Sequence, residues 1–362
     1  MHIKTLIIDD SRIFRSLLKS LLEREGEFSV VASLWSGEKA IEFLKENPVE
    51  LITLDLEMPH ENGLTVLKRI QEELPTVFQE VPILMISSYT ERGGEQTLEA
   101  LNRGAFDFVQ KTALEEEGAQ DQLLRQIKQK WKAWRLREKK QKKEQFKQTK
   151  EQKVLSKIVE QEFPKTHFSR GRGKKKNLLM IGVSTGGPKA LGDFLPKLCE
   201  KVKSPILIVQ HMPAKFTQSL AESLNKRCRH KVLEVRSGQF LQEEEVYIAP
   251  GGKHMVIAES APNLIQLNNR PPENGCRPSV DALFRSAKFW GAKDVQLVIL
   301  TGMGNDGAKE LLALKNLGAG VVAQDEKSSV VWGMPSAAFA TGAVDDLVSL
   351  SDMANYLAER VH

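Results

Sequence analysis

Short, almost uninterrupted apolar runs alternate with helical patterns twice along this chain, and that alternation calls for parallel sheets covered on both faces. From Met1 to about Lys130 the order is KTLIID, a helix through Leu17 to Leu22, FSVVAS, Ala40 to Leu44, ELITLD, Leu64 to Ile70, PILMIS, Thr97 to Leu101 and AFDFVQK. Five such units predict a small doubly wound α/β domain on a five-stranded parallel sheet. From Asn177 to His362 the alternation resumes with LLMIG, PILIVQ, VYIAP, MVIA, LIQL, VQLVIL and AGVVAQ. Several of these lie too close together for a helix between them, and the Pro-Gly-Gly centre of EVYIAPGGKHMVIAE signals a turn. The second half therefore reads as another doubly wound, mostly parallel α/β domain with an added hairpin.

The segment between them is of another kind. Leu124, Ile127, Trp131 and Trp134 recur at spacings of three and four, an apolar stripe on one helix face that fades into KKQKKEQFKQTKEQK. Arg125 to Lys176 holds 20 Lys or Arg against 5 Glu, so the chain's net charge of +5 belongs to this segment and the remainder is acidic. Like-charged blocks repel and stay extended, which makes this a long, basic, partly helical linker, open also to contact with an acidic partner. It has no helix-turn-helix pattern, and as far as Lys153 its aromatics are Trp131, Trp134 and Phe146 alone, so DNA is not an expected partner. The expected division is 1–128, 129–176 for the linker, and 177–362. Cys199, Cys228 and Cys276 show no metal-ligand spacing, as in a reduced compartment. No run approaches the ~20 apolar residues of a membrane span, and MHIKTLIIDD is too poor in apolar residues for a signal peptide. A cytoplasmic protein without membrane insertion is expected.

Functional residues of an open parallel sheet gather beyond the carboxyl ends of its strands. In the first domain those ends carry Asp9 and Asp10, Asp55, Ser87 and Lys111. Three carboxylates brought together push one another's pKa upward, which calls for a hard divalent cation with oxygen ligands, Mg2+ before others. A cation beside Asp55 neutralises an incoming phosphoryl group, Lys111 and Ser87 hold its oxygens, and Asp55 can act as nucleophile. Taken singly, each Asp could cap the next helix; five matching positions on successive strands argue against that. The segments LIIDDS, LDLEMPHENGL, MISS and FDFVQK resemble the receiver domain of two-component response regulators, over residues 1 to about 128. The resemblance implies that Asp55 is the phospho-acceptor and that Asp10, Asp55 and the Glu57 carbonyl hold Mg2+, with Asp9 helping through water. It also implies Ser87 and Phe108 as a switch pair and a phosphodonor histidine kinase as partner. Thr112 departs from the pattern, standing where receivers usually carry a proline.

In the second domain, LLMIGVSTGGPKAL sets Ser184 between a strand and a helix, inside the G-x-S-x-G of Gly182, Ser184 and Gly186. A serine on such a turn, near the positive end of a helix, suits a nucleophile, although a Gly-rich turn also binds phosphate or caps its helix. A serine needs a base, and two of the seven histidines follow apolar strands: His211 after PILIVQ, and His254 after the Pro-Gly-Gly turn. Asp306, in VQLVILTGMGNDGAKEL, is the acid that could orient the imidazole. The order Ser, His, Asp is not that of the α/β-hydrolases. The same loop supports a different class of function, because Gly302, Gly304 and Gly307 spell G-x-G-x-x-G, with Asp325 about 20 residues on, as a dinucleotide site requires. Against it, the Asp306 carboxylate would repel a pyrophosphate in a partly dry site. The alternative is a non-enzymatic nucleotide- or partner-binding regulator gated by the first domain.

Resemblance separates the two. IGVSTGGP, VQHMPAKFTQSLAESLN, YIAPGGKHM, RPSVDALFRSA, LTGMGNDGA and GMPSAA are similar to the catalytic domain of the chemotaxis protein-glutamate methylesterase (CheB) family, from about Leu178 to Leu357. A receiver followed by this domain is that family's architecture. The resemblance implies a carboxylic ester hydrolase with Ser184 as nucleophile, His211 as general base and acid, Asp306 as its orienting carboxylate and the Met303 amide in the oxyanion hole. His254 becomes structural or substrate-lining. The implied substrates are glutamyl methyl esters, and in many members also glutamines, on the cytoplasmic helices of chemoreceptors. No cofactor is implied for the esterase. Phosphorylation is expected to relieve a receiver that covers the cleft, and the unusually long basic linker departs from the family.

Overall fold

The computed structural model describes residues 2–59, 61–88, 91–111, 118–155 and 176–362, with backbone alone for 91–92 and 139–155. The expectation for Thr112 lies outside the described residues. The first unit runs β1 (Ile3–Ile8), α1 (Arg12–Glu23), β2 (Phe28–Leu34), α2 (Gly37–Glu46), β3 (Leu51–Asp55), α3 (Gly63–Glu73), α4 (Pro75–Glu80), β4 (Ile83–Ser87), α5 (Glu91–Asn102), β5 (Asp107–Gln110) and α6 (Ala119–Leu155). Its five strands are all parallel, in the order β2-β1-β3-β4-β5. Successive strand residues face opposite ways. Ile7, Leu51 and Val109 thus pack with Phe14, Leu18 and Leu22 of α1 and Leu124 and Ile127 of α6. Leu6, Ile52 and Leu54 pack with Ile41, Leu67, Ile70 and Leu98 of α2, α3 and α5 on the other face. Burial on both faces is why the strands read as unbroken apolar runs. Ser11 and Asn62 accept the Phe14 and Thr65 amides, capping α1 and α3 at the ends where the sheet's functional edge lies.

The second unit runs β6 (Leu178–Val183), α7 (Gly187–Cys199), β7 (Ile206–Gln210), α8 (Phe216–Asn225), β8 (Lys231–Glu234), β9 (Gln239–Phe240), β10 (Glu245–Ile248), β11 (His254–Ala258), β12 (Ala261–Asn268), α9 (Val280–Arg285), α10 (Ala287–Trp290), β13 (Val295–Ile299), α11 (Leu311–Asn316), β14 (Gly320–Gln324), α12 (Met334–Ala340), β15 (Asp346–Val348) and α13 (Leu350–Ala358). Seven strands form one wholly parallel sheet, β15-β14-β13-β6-β7-β10-β8. The antiparallel hairpin is β11 with β12, and β9 joins it in a separate three-stranded sheet. The turn at Pro250, Gly251 and Gly252 hence carries the chain from the large sheet to the small one. Strands β8, β9 and β15 were not anticipated from sequence; each has at most four residues, too few for a periodic signal.

The basic segment is helical from its start as far as Leu155: α6 is one helix of 37 residues, about 55 Å long at 1.5 Å per residue. The line expected between residues 128 and 129 runs through it. Leu124 and Ile127 sit in the core of the first unit, and Trp131 meets the edge of Phe28 with ring centroids 6.4 Å apart. One turn further, Ala133 and Trp134 pack with Phe106, Met303, Val330 and Val331, where first and second units touch. Residues 156–175 of the expected linker lie outside the described residues.

Candidate active site and phosphoryl site

Each sheet has a point where its strand order reverses, and the polar residues collect there. In the first sheet the reversal lies between β1 and β3, the place where a crevice opens in this architecture. The register that pairs Ile8 with Leu54 sets Asp9 beside Asp55. Carboxylate oxygens of Asp9, Asp10 and Asp55 lie within 4.8 Å of one another, and Lys111 reaches Asp9 Oδ2 at 2.8 Å and Asp55 Oδ2 at 2.9 Å. Burial and the neighbouring Asp9 push Asp55 up to about 6 despite that ammonium, and burial raises Asp9 too. One ammonium against three carboxylates leaves about two negative charges in a site whose Asp9 and Asp55 are buried. A hard divalent cation fits that deficit and that all-oxygen donor set. The Glu57 amide donates to Asp55 Oδ1 at 3.3 Å, which holds the following backbone against the acid.

Ser87 is buried at the end of β4, its hydroxyl donating to the Gly93 carbonyl and accepting from Thr97 Oγ1 at 2.9 Å, both in α5. Phe108 on β5 is buried among the apolar residues of the α5 face. Its ring stacks on Phe216 of α8, with centroids 4.8 Å apart.

In the second sheet the reversal lies between β6 and β13. Ser184 directly follows β6 and His211 directly follows β7, and the register pairs Val183 with Gln210, so the two residues leave adjacent strands side by side. The His211 amide donates to the Val183 carbonyl at 3.1 Å and the Ser184 amide to the Thr301 carbonyl at 3.0 Å. Asp306, from the loop after β13, faces His211 Nε2 with its Oδ2 at 2.8 Å. Five donors converge on that carboxylate: His211 and the Val280 amide on Oδ2, and Ser279 Oγ, the Asp281 amide and Asn274 Nδ2 on Oδ1. Burial alone would raise its pKa; the His211 bond and the two amides hold it well below the ordinary carboxylate range. Burial likewise opposes charge on His211, and the bonds to Asp306 and Cys276 overcome it, lifting the imidazole to about 9.

His254, the other candidate base, is committed elsewhere. Its Nδ1 accepts the Ser279 amide at 3.2 Å and its Nε2 meets the Pro271 carbonyl at 3.1 Å. The glycine-rich loop is also accounted for within the chain. A Cβ on Gly302 would lie 2.4 Å from Met334 Sδ and 2.8 Å from Ser184 Cβ, so the glycine lets β13's loop close against the serine turn. Asp325 accepts from the Ser328 amide and hydroxyl. Among the described residues no hydrogen bond occupies the Met303 amide. Asn274 and Cys276 were not singled out as site residues from sequence. The PPENGC stretch reads as a turn, and nothing in a turn's composition says that it folds onto a histidine.

Comparison with known proteins finds relatives along the whole chain. Residues 179–357 match the family model described as CheB methylesterase, and residues 5–122 match the response regulator receiver domain. A protein of Desulfotalea psychrophila named protein-glutamate methylesterase/protein-glutamine glutaminase is 37% identical across 99% of this chain and 99% of its own. The chain belongs to the CheB methylesterase family. A second relative of the same name, from Methylobacillus flagellatus, is 39% identical over 98% of this chain and 95% of its own length. The crystal structure of the Thermotoga maritima CheB methylesterase catalytic domain is 35% identical, covering 52% of this chain and all of that one at a TM-score of 0.49.

Receiver and esterase domain meet beside the nucleophile. Besides the Phe108–Phe216 stack and the Trp134 cluster, Gly94 of α5 comes so close to α8 that a Cβ there would lie 2.4 Å from Ser219 Oγ. Lys130 of α6 bonds Asp107 at 2.6 Å and lies 3.5 Å from Thr185 Oγ1, next to Ser184. A cavity of about 910 Å³ lies along α6 between the two domains, lined among others by Trp134, Arg137, Gly186 and Lys189. The domains therefore share a continuous apolar core where α5 meets α7 and α8, with the cavity beside it.

Proposed function

We propose that this chain is a phosphorylation-controlled protein-glutamate methylesterase that also deamidates glutamine, acting in the cytoplasm on the methylated helices of chemoreceptors. The observation that carries the reading is the His211 to Asp306 bond at the sheet edge where Ser184 leaves the neighbouring strand. In this reading Ser184 attacks the ester carbonyl while His211 takes its proton, and the Met303 amide steadies the oxyanion. His211 then returns the proton to departing methanol, or to ammonia from a glutamine, and water releases the glutamyl-enzyme by the same path in reverse. Asp306 keeps the imidazole in one tautomer and steadies its charged form.

Control belongs to the receiver. Asp55 takes a phosphoryl group from a phosphodonor histidine kinase, with Lys111 and Ser87 binding its oxygens. Mg2+, which Asp10, Asp55 and the Glu57 carbonyl would hold with Asp9 nearby, supplies charge neutralisation for that transfer. Rearrangement of Ser87 and Phe108 then weakens the Phe108–Phe216 contact and uncovers the cleft, since a modification shifts a two-state balance only through contacts that differ between the states. No helix among the described residues is long and apolar enough to cross a membrane.

The test is incubation of the purified chain with methylated receptor, with and without acetyl phosphate, reading methanol and ammonia. The expected result is methanol release that acetyl phosphate accelerates, lost in Ser184→Ala and unresponsive to acetyl phosphate in Asp55→Asn. Full methanol release by Ser184→Ala would overturn the mechanism.

A further inference from the structure

His211 has two ring nitrogens, and both are engaged. Nε2 faces the Asp306 carboxylate, which only accepts hydrogen bonds, so Nε2 carries the hydrogen and the lone pair of the neutral ring is on Nδ1. That is the nitrogen required to take the seryl proton. It faces the thiol of Cys276, with Sγ 3.6 Å away, while among the described residues no hydrogen bond involves the Ser184 hydroxyl.

The thiol is held there by a built turn. Glu273 and Cys276 exchange backbone hydrogen bonds of 3.1 and 2.8 Å around Asn274 and Gly275. Both inner residues have positive φ, 51° and 74°, the backbone an Asn-Gly two-residue turn provides. The Glu273 side chain is anchored on Arg285. From the same turn, Asn274 Nδ2 donates to Asp306 Oδ1 at 3.0 Å and to Asp281 Oδ2 at 2.8 Å. One four-residue turn thus touches both members of the acid and base pair.

We propose that the Glu273 to Cys276 turn is a positioning element of the esterase: Asn274 fixes the Asp306 carboxylate, and the Cys276 thiol occupies Nδ1 of His211 until the Ser184 hydroxyl displaces it. The inference rests on the reading of Ser184, His211 and Asp306 given above. One lone pair cannot serve two donors at once, so the thiol and the hydroxyl compete for the base. The titratable groups around the imidazole are Asp306 and Cys276 in direct contact, with Asp281 and Glu273 coupled to Asp306 behind them. Removing the thiol leaves the lone pair of the neutral ring to the Ser184 hydroxyl alone.

The experiment is the pH profile of kcat and KM for methanol release by the full chain activated with acetyl phosphate. Wild type is compared with Cys276→Ala, with Cys276→Val, which keeps volume without a donor, and with Cys276→Ser, which keeps one. The expected result is a kcat above the acid limb raised about threefold in the Ala and Val variants, the effect of one weak hydrogen bond that Ser184 no longer has to displace. KM should be unchanged and the Ser variant intermediate. Profiles that coincide with wild type, or an effect on KM alone, overturn the proposal while leaving the Ser184 mechanism standing. An active Ser184→Ala in the same assay overturns both. Should the Ala variant fail to fold, the Val and Ser profiles decide by the same criteria.

Discussion

Phe108 of the receiver lies stacked on Phe216 of the esterase domain, ring centroids 4.8 Å apart and planes 30° from parallel. The residue expected to report phosphorylation therefore touches the helix that begins five residues after His211. An aromatic pair adds about 1 kcal/mol beyond burial, close to a fivefold bias towards the covered arrangement. Phe216→Leu, which keeps an apolar side chain and loses the ring pair, should raise unphosphorylated methanol release about fivefold and leave the acetyl phosphate-stimulated rate unchanged. A proportional change in both rates would mean that the stack does not regulate.

Lys130 ties three parts of the chain together. It belongs to α6, pairs with the largely buried Asp107 next to Phe108, and lies beside Thr185 next to the nucleophile. Hydrogen bonds to charged groups contribute about 1.5–3 kcal/mol, and the bond from this ammonium that crosses to the esterase domain is the one to Thr185. Lys130→Met should raise the basal rate by about tenfold or more and shrink the response to acetyl phosphate. An unaltered ratio of phosphorylated to unphosphorylated rates would show that the bond is structural only.

The raised carboxylates of the receiver set a direction for pH. A carboxylate whose folded pKa lies above its ordinary value contributes stability below about pH 4 that is lost as pH rises through the folded value, about 6 for Asp55. A cation that binds the ionised form reverses this. Excess MgCl2 should raise the receiver's melting temperature at about pH 8, have little effect at about pH 5, and have little effect at either pH in Asp10→Asn. Equal stabilisation of the variant and the wild type would remove the metal site.

The pair at the esterase edge works with opposite signs. His211, raised to about 9, contributes stability that is complete below its ordinary value of about 6.5 and lost as pH rises through about 9. Asp306, held low, contributes above about pH 4 and loses that contribution only in stronger acid. Because only the neutral imidazole takes a proton, the unphosphorylated rate should climb with pH up to about 9. Asp306→Asn keeps the shape but cannot accept from all five donors. It should cost about 3 kcal/mol in a denaturant melt near neutral pH and lower methanol release about 10³-fold or more. Retention of both would assign the orienting role elsewhere.

Strand-helix alternation made both sheets legible because parallel strands buried on two faces are apolar along almost their whole length, as β6 is. Asp9, Asp10, Asp55 and Ser184 could be picked out because they end such runs. What joins Asp306 to His211 is a strand register between segments 95 residues apart, which composition does not encode; shared motifs supplied that link. The course of α6 was masked by its charge, since a block of Lys and Gln looks alike as coil or helix. The Phe108–Phe216 stack is invisible to periodicity, because each ring also fits its own domain's apolar pattern.

Since α6 both completes the receiver's core with Ile127 and forms one wall of the interdomain cavity with Trp134, the described residues offer no clean place to cut the chain between its two sheets. A fragment ending at residue 128 strips the indole from Phe28, and one beginning at 177 exposes the Met303 and Val331 surface that Trp134 shields. Measurements on isolated halves will thus describe proteins with fresh apolar wounds, and excision of the amino-terminal half will conflate loss of inhibition with loss of a supporting helix.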